Sequence, residues 1–250
     1  MIAFQVCGHS NSGKTTLVTQ LIKRLSSRNE RVASIKSIHY EKFRMDEPGR
    51  DTFLHKESGA RIVVASGLQE TDFLYAGNMD FMDIARKISA DWLVVEGFNS
   101  FSLPKIVCAV NENSLEHFVD KRTFAISGVI SQRMSEYNGI PVFNSHVDHE
   151  IDELMRLIEQ KTFPLLPYVD DACCRQCGLT CNEMVAAIVQ GEKTYEDCLI
   201  HQDRTVLKFD GKEIPIVPFV QSLIRNTVMG LVKQLDGWEE GKTIEISIKP

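Results

Sequence analysis

Residues 8–16 read Gly8-His9-Ser10-Asn11-Ser12-Gly13-Lys14-Thr15-Thr16, the spacing G-x-x-x-x-G-K-[ST] of a phosphate-binding loop. The apolar run Ile2-Ala3-Phe4-Gln5-Val6 precedes it, and Leu17-Val18-Thr19-Gln20-Leu21-Ile22 follows with helical periodicity. Strand, glycine-rich loop and helix therefore come in the order the motif needs. Glycines let main-chain N–H groups close around phosphate oxygens, from about Asn11 to Thr15. A helix starting near Lys14 adds the positive end of its dipole. Lys14 offers a point charge to the β- and γ-phosphates, and the Thr15 hydroxyl suits Mg²⁺. The loop predicts a nucleoside triphosphate site.

Alternation of strand and helix extends through the first two-thirds of the 250 residues. Strands are predicted over 2–6, 32–38, 61–65, 92–96, 106–110, 123–129 and 141–143. Helical segments are predicted over 17–25 and 81–88. Asp148 is expected to cap a closing helix that buries Ile151, Leu154, Met155 and Ile158. This pattern implies an α/β fold with a mostly parallel sheet and a ligand edge at the carboxyl ends of its strands. Two further segments belong at that edge. Asp91-Trp92-Leu93-Val94-Val95-Glu96-Gly97 is a buried strand ending in an acid, which could hold Mg²⁺ or orient a water, or simply bond to a loop. Asp46-Glu47-Pro48-Gly49-Arg50-Asp51 is a turn-rich loop after the second strand, with Lys36 and His39 just before it. It reads as a γ-phosphate-sensing loop or as a solvated turn. His55, His117, His146 and His149 read as surface residues.

A net charge of −6 with no basic cluster argues against nucleic acid. No run approaches a membrane span, and the chain enters its first strand at once, so a cytoplasmic setting is expected. Of seven cysteines, Cys7 and Cys108 are isolated, whereas Cys173, Cys174, Cys177, Cys181 and Cys198 crowd together. Such crowding in a cytosolic chain points to metal. Cys174-x2-Cys177-x3-Cys181-x16-Cys198 is a compact triplet with one distant member, suited to the four corners of a [4Fe–4S] cube, with Cys173 the neighbouring alternative to Cys174. Zn²⁺ is the alternative metal, although its sites more often use two paired knuckles. A helix over 181–189 stopped by Gly191 would bring Cys198 back to the triplet. The prolines within 163–168 suggest a linker. The expected organisation is a nucleotide-binding domain (1–163), an iron–sulfur segment (173–203) and a small αβ tail (204–250). The tail reads as a hairpin with an Asp210-Gly211 turn, a helix along Val220, Ile224, Val228, Leu231 and Leu235, and a strand over 243–248.

The first 160 residues resemble the molybdopterin-guanine dinucleotide biosynthesis protein B family. The matching stretches are the loop, Ile35-Lys36 with His39, Asp46–Asp51 followed by His55, Ser58-Gly59-Ala60, Ala65-Ser66, and Val94-Val95-Glu96-Gly97-Phe98 leading to Pro104-Lys105-Ile106. The resemblance implies GTP binding, weak GTP hydrolysis and homodimerisation. It also implies assistance to the nucleotidyltransferase that attaches GMP to molybdopterin, with the molybdopterin cofactor as a further ligand. Carried over, Lys14 and Thr15 bind phosphates and Mg²⁺, Glu96 takes the acidic position, Lys14 and Glu96 become the catalytic candidates, and Asp46 and Asp51 lie over the active edge. No Asn-Lys-x-Asp guanine-reading motif is present, so the base preference comes from the resemblance. The cysteine segment in turn resembles the small four-cysteine iron–sulfur domain of redox proteins, through Ala186-Ala187-Ile188 and Gly191-Glu192. Two other functions fit the residues: a nucleotide-driven metallocentre or electron-transfer protein serving another client, and a nucleotide-gated binding module without turnover.

Overall fold

A computed structural model describes residues 1–97, 101–166, 175, 177–199, 205, 207–209, 212–214, 216, 218–237 and 244–246. The chain divides into two compact units, residues 1–195 and 196–250.

In the first unit, five parallel strands form the central sheet in the order β2-β5-β1-β6-β7. They are β1 (Ile2–Cys7), β2 (Val32–Lys36), β5 (Trp92–Glu96), β6 (Lys105–Cys108) and β7 (Thr123–Ser127). The three central strands are buried on both faces, as parallel strands covered by helices must be. Helix α1 (Lys14–Ser27) buries Leu17, Val18, Leu21 and Leu25, and α5 (Asp148–Lys161) buries Ile151, Leu154, Met155 and Ile158. Both stripes follow the helical period, and burying each such side chain contributes roughly 1.5–3 kcal/mol. Arg24 joins the two helices by ion pairs to Asp148 at 2.7 Å and Asp152 at 2.9 Å. Helix α3 (Phe81–Ala85) packs Phe81 and Ala85 onto Ala3, Leu93 and Val95, and α4 (Glu112–Phe118) packs Leu115 onto Cys7, Val107 and Ile126.

Several sequence expectations need correction. Residues 61–65 do not join the parallel sheet; β3 (Ile62–Ser66) pairs antiparallel with β4 (Thr71–Tyr75) as a separate hairpin preceded by α2 (Asp51–Glu57). Asp148 is the first helical residue of α5 rather than its cap; Val147 stands at the cap, and the Asp148 carboxylate pairs with Arg24. The expected strand over 141–143 shrinks to β9 (Ile140–Pro141), paired with β8 (Glu136–Tyr137), and a single bridge from Val142 to Ile126. Beyond β7 the chain enters a short 3₁₀ turn over Val129–Gln132 instead of continuing as strand. Of the expected linker, residues 163–166 lie against the start of β1: Leu165 N–H donates to Met1 O at 3.0 Å, and Phe163 and Leu166 are buried.

Helix α6 (Cys181–Gln190) closes the first unit, ending at Gly191 in the left-handed conformation, φ 78°. Thr180 and Glu183 form a reciprocal capping box at its start, which the T-x-x-E spacing encodes. The second unit contains the hairpin β10 (Leu207–Phe209) and β11 (Lys212–Ile214), then α7 (Pro218–Val232). The Asp210-Gly211 turn lies outside the described residues. Of the last expected strand only 244–246 are described, and they carry no strand pairing. Among the described residues no helix is long and apolar enough to cross a membrane.

Candidate functional site

Where β1 ends, Gly8 has φ +142°, Asn11 φ +59° and Gly13 φ +96°. The loop they form is packed by backbone on both sides. A Cβ on Gly8 would lie 2.0 Å from Cys108 O, and one on Gly128 would lie 2.1 Å from Ser12 O. Val129 N–H donates to Ser12 O at 3.3 Å, and Ile130 N–H to Ala109 O at 3.0 Å. The loops after β1, β6 and β7 are therefore zipped together at the carboxyl edge of the sheet.

Inside the loop, Leu17 N–H donates to Gly13 O to start α1, while the N–H groups of residues 11–16 donate to no acceptor among the described residues. The buried Ser12 hydroxyl likewise has no partner there. Converging free donors at a helix start, next to left-handed backbone, form a concavity for an anion, and a phosphate group fits this set. The Lys14 ammonium curls over the same loop, donating to Gly8 O at 3.0 Å and His9 O at 2.6 Å.

Glu96 ends β5 directly beside the loop, because the β1–β5 register pairs it with Val6. Its carboxylate accepts from Thr15 Oγ1 at 2.9 Å and from Lys36 Nζ at 2.6 Å, and Lys36 Nζ lies 3.4 Å from Thr15 Oγ1. Lys36 arrives through the β2–β5 register, which places it level with Glu96. A buried carboxylate and a hydroxyl at the mouth of a phosphate loop are hard oxygen donors of the kind Mg²⁺ takes, so Thr15 and Glu96 fit that ion.

The other sequence-predicted residues are placed differently. Asp46 is buried and turned toward α2, accepting from Thr52 Oγ1 at 2.8 Å and pairing with Lys56 at 3.3 Å. Burial pushes its carboxyl up, but the Thr52 hydroxyl and the Lys56 ammonium outweigh that and hold it below the ordinary value. Asp51 is exposed in the first turn of α2. Neither bonds to residues 8–16, so Asp46 anchors its own loop to α2. His9 and Ser10 are exposed on the phosphate loop and Thr16 follows in the first turn of α1. His117, read as an isolated surface residue, stands 6.1 Å ring to ring from His9, and Phe118 meets His9 edge-on at 4.8 Å.

Sequence pattern locates Lys36 at the ligand edge but not its pairing with Glu96, and it assigns no role to the buried Lys105. Lys105 Nζ donates to Asp120 at 2.8 Å from inside β6, and burial lowers its pKa. A basic residue within an otherwise apolar strand was the available signal.

Of the thiolate set, Cys181 is buried at the first position of α6, Cys177 is half-buried and donates weakly to Leu179 O at 3.5 Å, and Cys198 is buried within the second unit. Cys173 and Cys174 lie outside the described residues. Among the described residues no three Cys, His, Asp or Glu side chains form a ready metal cage. The donors themselves are soft thiols, which fit an iron–sulfur cluster or zinc. Cys7 and Cys108 are different in kind: burial pushes the Cys7 thiol up to about 11 and Cys108 higher still.

Two family models match the chain. The model of the family "Molybdopterin guanine dinucleotide synthesis protein B" matches residues 3–132, and that of "Putative Fe-S cluster" matches residues 170–200. A protein of Methanocaldococcus jannaschii named "Putative molybdopterin-guanine dinucleotide biosynthesis adapter protein" is 29% identical over 97% of this chain and 95% of its own. A Bacillus subtilis protein named as a probable adapter of the same biosynthesis is 27% identical over 56% of this chain and 84% of its own. The crystal structure of Bacillus subtilis MobB superposes with a TM-score of 0.54 at 23% identity, covering 63% of this chain and 98% of that one, which identifies the shared fold.

Proposed function

Because the chain belongs to the molybdopterin guanine dinucleotide synthesis protein B family, we propose that it is a GTP-binding adapter in the synthesis of that dinucleotide, carrying an iron–sulfur cluster. The observation that carries this reading is the convergence of the residue 8–16 loop, Thr15 and Glu96 at one edge of the sheet. Unpartnered N–H groups at the start of α1 support phosphate binding, with Lys14, held over the loop by Gly8 O and His9 O, as the cation. Thr15 and Glu96 would hold Mg²⁺, which supplies charge neutralisation at the phosphates. Cys177, Cys181, Cys198 and either Cys173 or Cys174 would hold the cluster. The full-length similarity to the Methanocaldococcus jannaschii relative supports an adapter that includes the cysteine segment as part of its design. Its partners on this reading are a molybdopterin nucleotidyltransferase and a second copy of the chain.

Equilibrium dialysis of the anaerobically purified protein against GTP and ATP, with and without Mg²⁺, tests the nucleotide reading. GTP is expected to bind more tightly, and binding of neither would sink it. Co-elution with a molybdopterin nucleotidyltransferase tests the adapter role. A protein that ignores that enzyme but passes electrons or iron to another client would instead be a metallocentre protein.

A further inference from the structure

Glu96 is a carboxylate with only 8% of its side chain exposed. A buried carboxylate without a counter-charge is strongly disfavoured, so something must neutralise it whenever no metal is there. Lys14 does not, since its ammonium is committed to the carbonyls of Gly8 and His9. Lys36 does: its Nζ sits 2.6 Å from Glu96 Oε1 and 3.4 Å from Thr15 Oγ1. These are the two oxygens that would hold a divalent ion. Lys36 itself is 54% exposed and carries a flexible four-carbon stem, so it can leave for solvent at little cost.

We infer that Lys36 is the internal counter-cation of Glu96 and competes with a divalent ion for the oxygens of Glu96 and Thr15. The identity of that ion as the nucleotide's Mg²⁺ rests on the proposed function; the competition itself does not. Lys36 keeps the buried carboxylate neutralised between cycles and lowers the site's affinity for a lone divalent cation. The device needs the parallel β2–β5 register, which sets Lys36 level with Glu96. One lysine at the end of an edge strand thus tunes the cation occupancy of an acid at the end of its neighbour.

The test is Mn²⁺ binding to the full-length protein without nucleotide, read from the electron paramagnetic resonance signal of free Mn²⁺. Lys36→Met is expected to bind one Mn²⁺ roughly three- to tenfold more tightly than the parent, the range set by losing one competing half-exposed ion pair. Lys36→Arg should stay near the parent, and adding Glu96→Gln to Lys36→Met should abolish the gain. Equal affinity in the parent and a folded Lys36→Met overturns the inference, as does a gain that survives Glu96→Gln. If Lys36→Met does not fold, Lys36→Gln carries the same comparison. GTP dialysis on the parent is scored separately: its failure removes the nucleotide reading and leaves the Mn²⁺ result standing.

Discussion

Lys14 and Glu96 make opposite demands on a binding experiment. The Lys14 ammonium touches only loop carbonyls, so Lys14→Ala removes charge at the anion site with little loss of packing. We expect triphosphate affinity to fall at least about 100-fold, as for loss of a charge-assisted contact worth about 3 kcal/mol, with circular dichroism unchanged. Glu96→Gln keeps shape and loses charge, so binding should survive better than phosphate release; equal loss of both would remove Glu96 from the metal or water role. A second residue-scale test lies away from the loop. Asp120 accepts from Lys105 and from Arg122, the latter at 2.6 Å. Burial raises its pKa, but the Arg122 and Lys105 bonds outweigh it and hold the carboxyl below its ordinary value. A folded-state pKa below the unfolded one contributes stability at pH values above the unfolded value, and that stability is lost as pH falls through the folded one. The Asp120 side chain is 42% exposed, so solvent screens these pairs. Asp120→Asn should therefore lose about 1 kcal/mol or less at pH 7 in urea unfolding, with the gap to the parent closing progressively below about pH 4.

At the scale of elements, the loops after β1, β6 and β7 depend on a backbone approach that no side chain could enter. Gly128 has φ +92°, and an added Cβ would fall 2.1 Å from Ser12 O. Gly139 has φ +80° with nothing within 4 Å. Gly139→Ala should cost about 1–2 kcal/mol from backbone strain alone. Gly128→Ala should cost more than that and also weaken GTP binding, because the clash moves the phosphate loop itself; equal costs at both glycines would show that the loops are not coupled. Legibility also varied by element. The stripes of α1 and α5 were readable residue by residue, because a helix facing a buried sheet must repeat at 3.6. Strand β4 was not, since Thr71–Tyr75 is mostly exposed and has no apolar period to betray it. Its partner β3 was visible, but whether a strand joins the central sheet or stands apart as a hairpin is decided by pairing, which local pattern does not carry.

For the molecule as a whole, the two kinds of cysteine predict one experiment. Anaerobically purified protein should be brown, with broad absorption near about 400 nm that bleaches on reduction, as thiolate-ligated iron clusters do. Cys177→Ser, Cys181→Ser and Cys198→Ser should each lose the colour, and Cys7→Ser and Cys108→Ser should keep it. Those two thiols are buried in the sheet and their raised pKa values disfavour the thiolate a metal needs. Between Cys173 and Cys174, only Cys174→Ser is expected to bleach. A colourless protein with one stoichiometric zinc would replace iron and keep the ligands. Sequence alone determined the phosphate loop, the parallel α/β class and the cysteine spacing, because each is set by contiguous residues acting on local backbone or a common ligand. Tertiary structure decided that Asp46 turns inward to Thr52 and Lys56, that His117 reaches His9, and that Lys36 meets Glu96. Those partners stand up to 108 residues apart, as His9 and His117 do, and the packing of the folded chain brings them together.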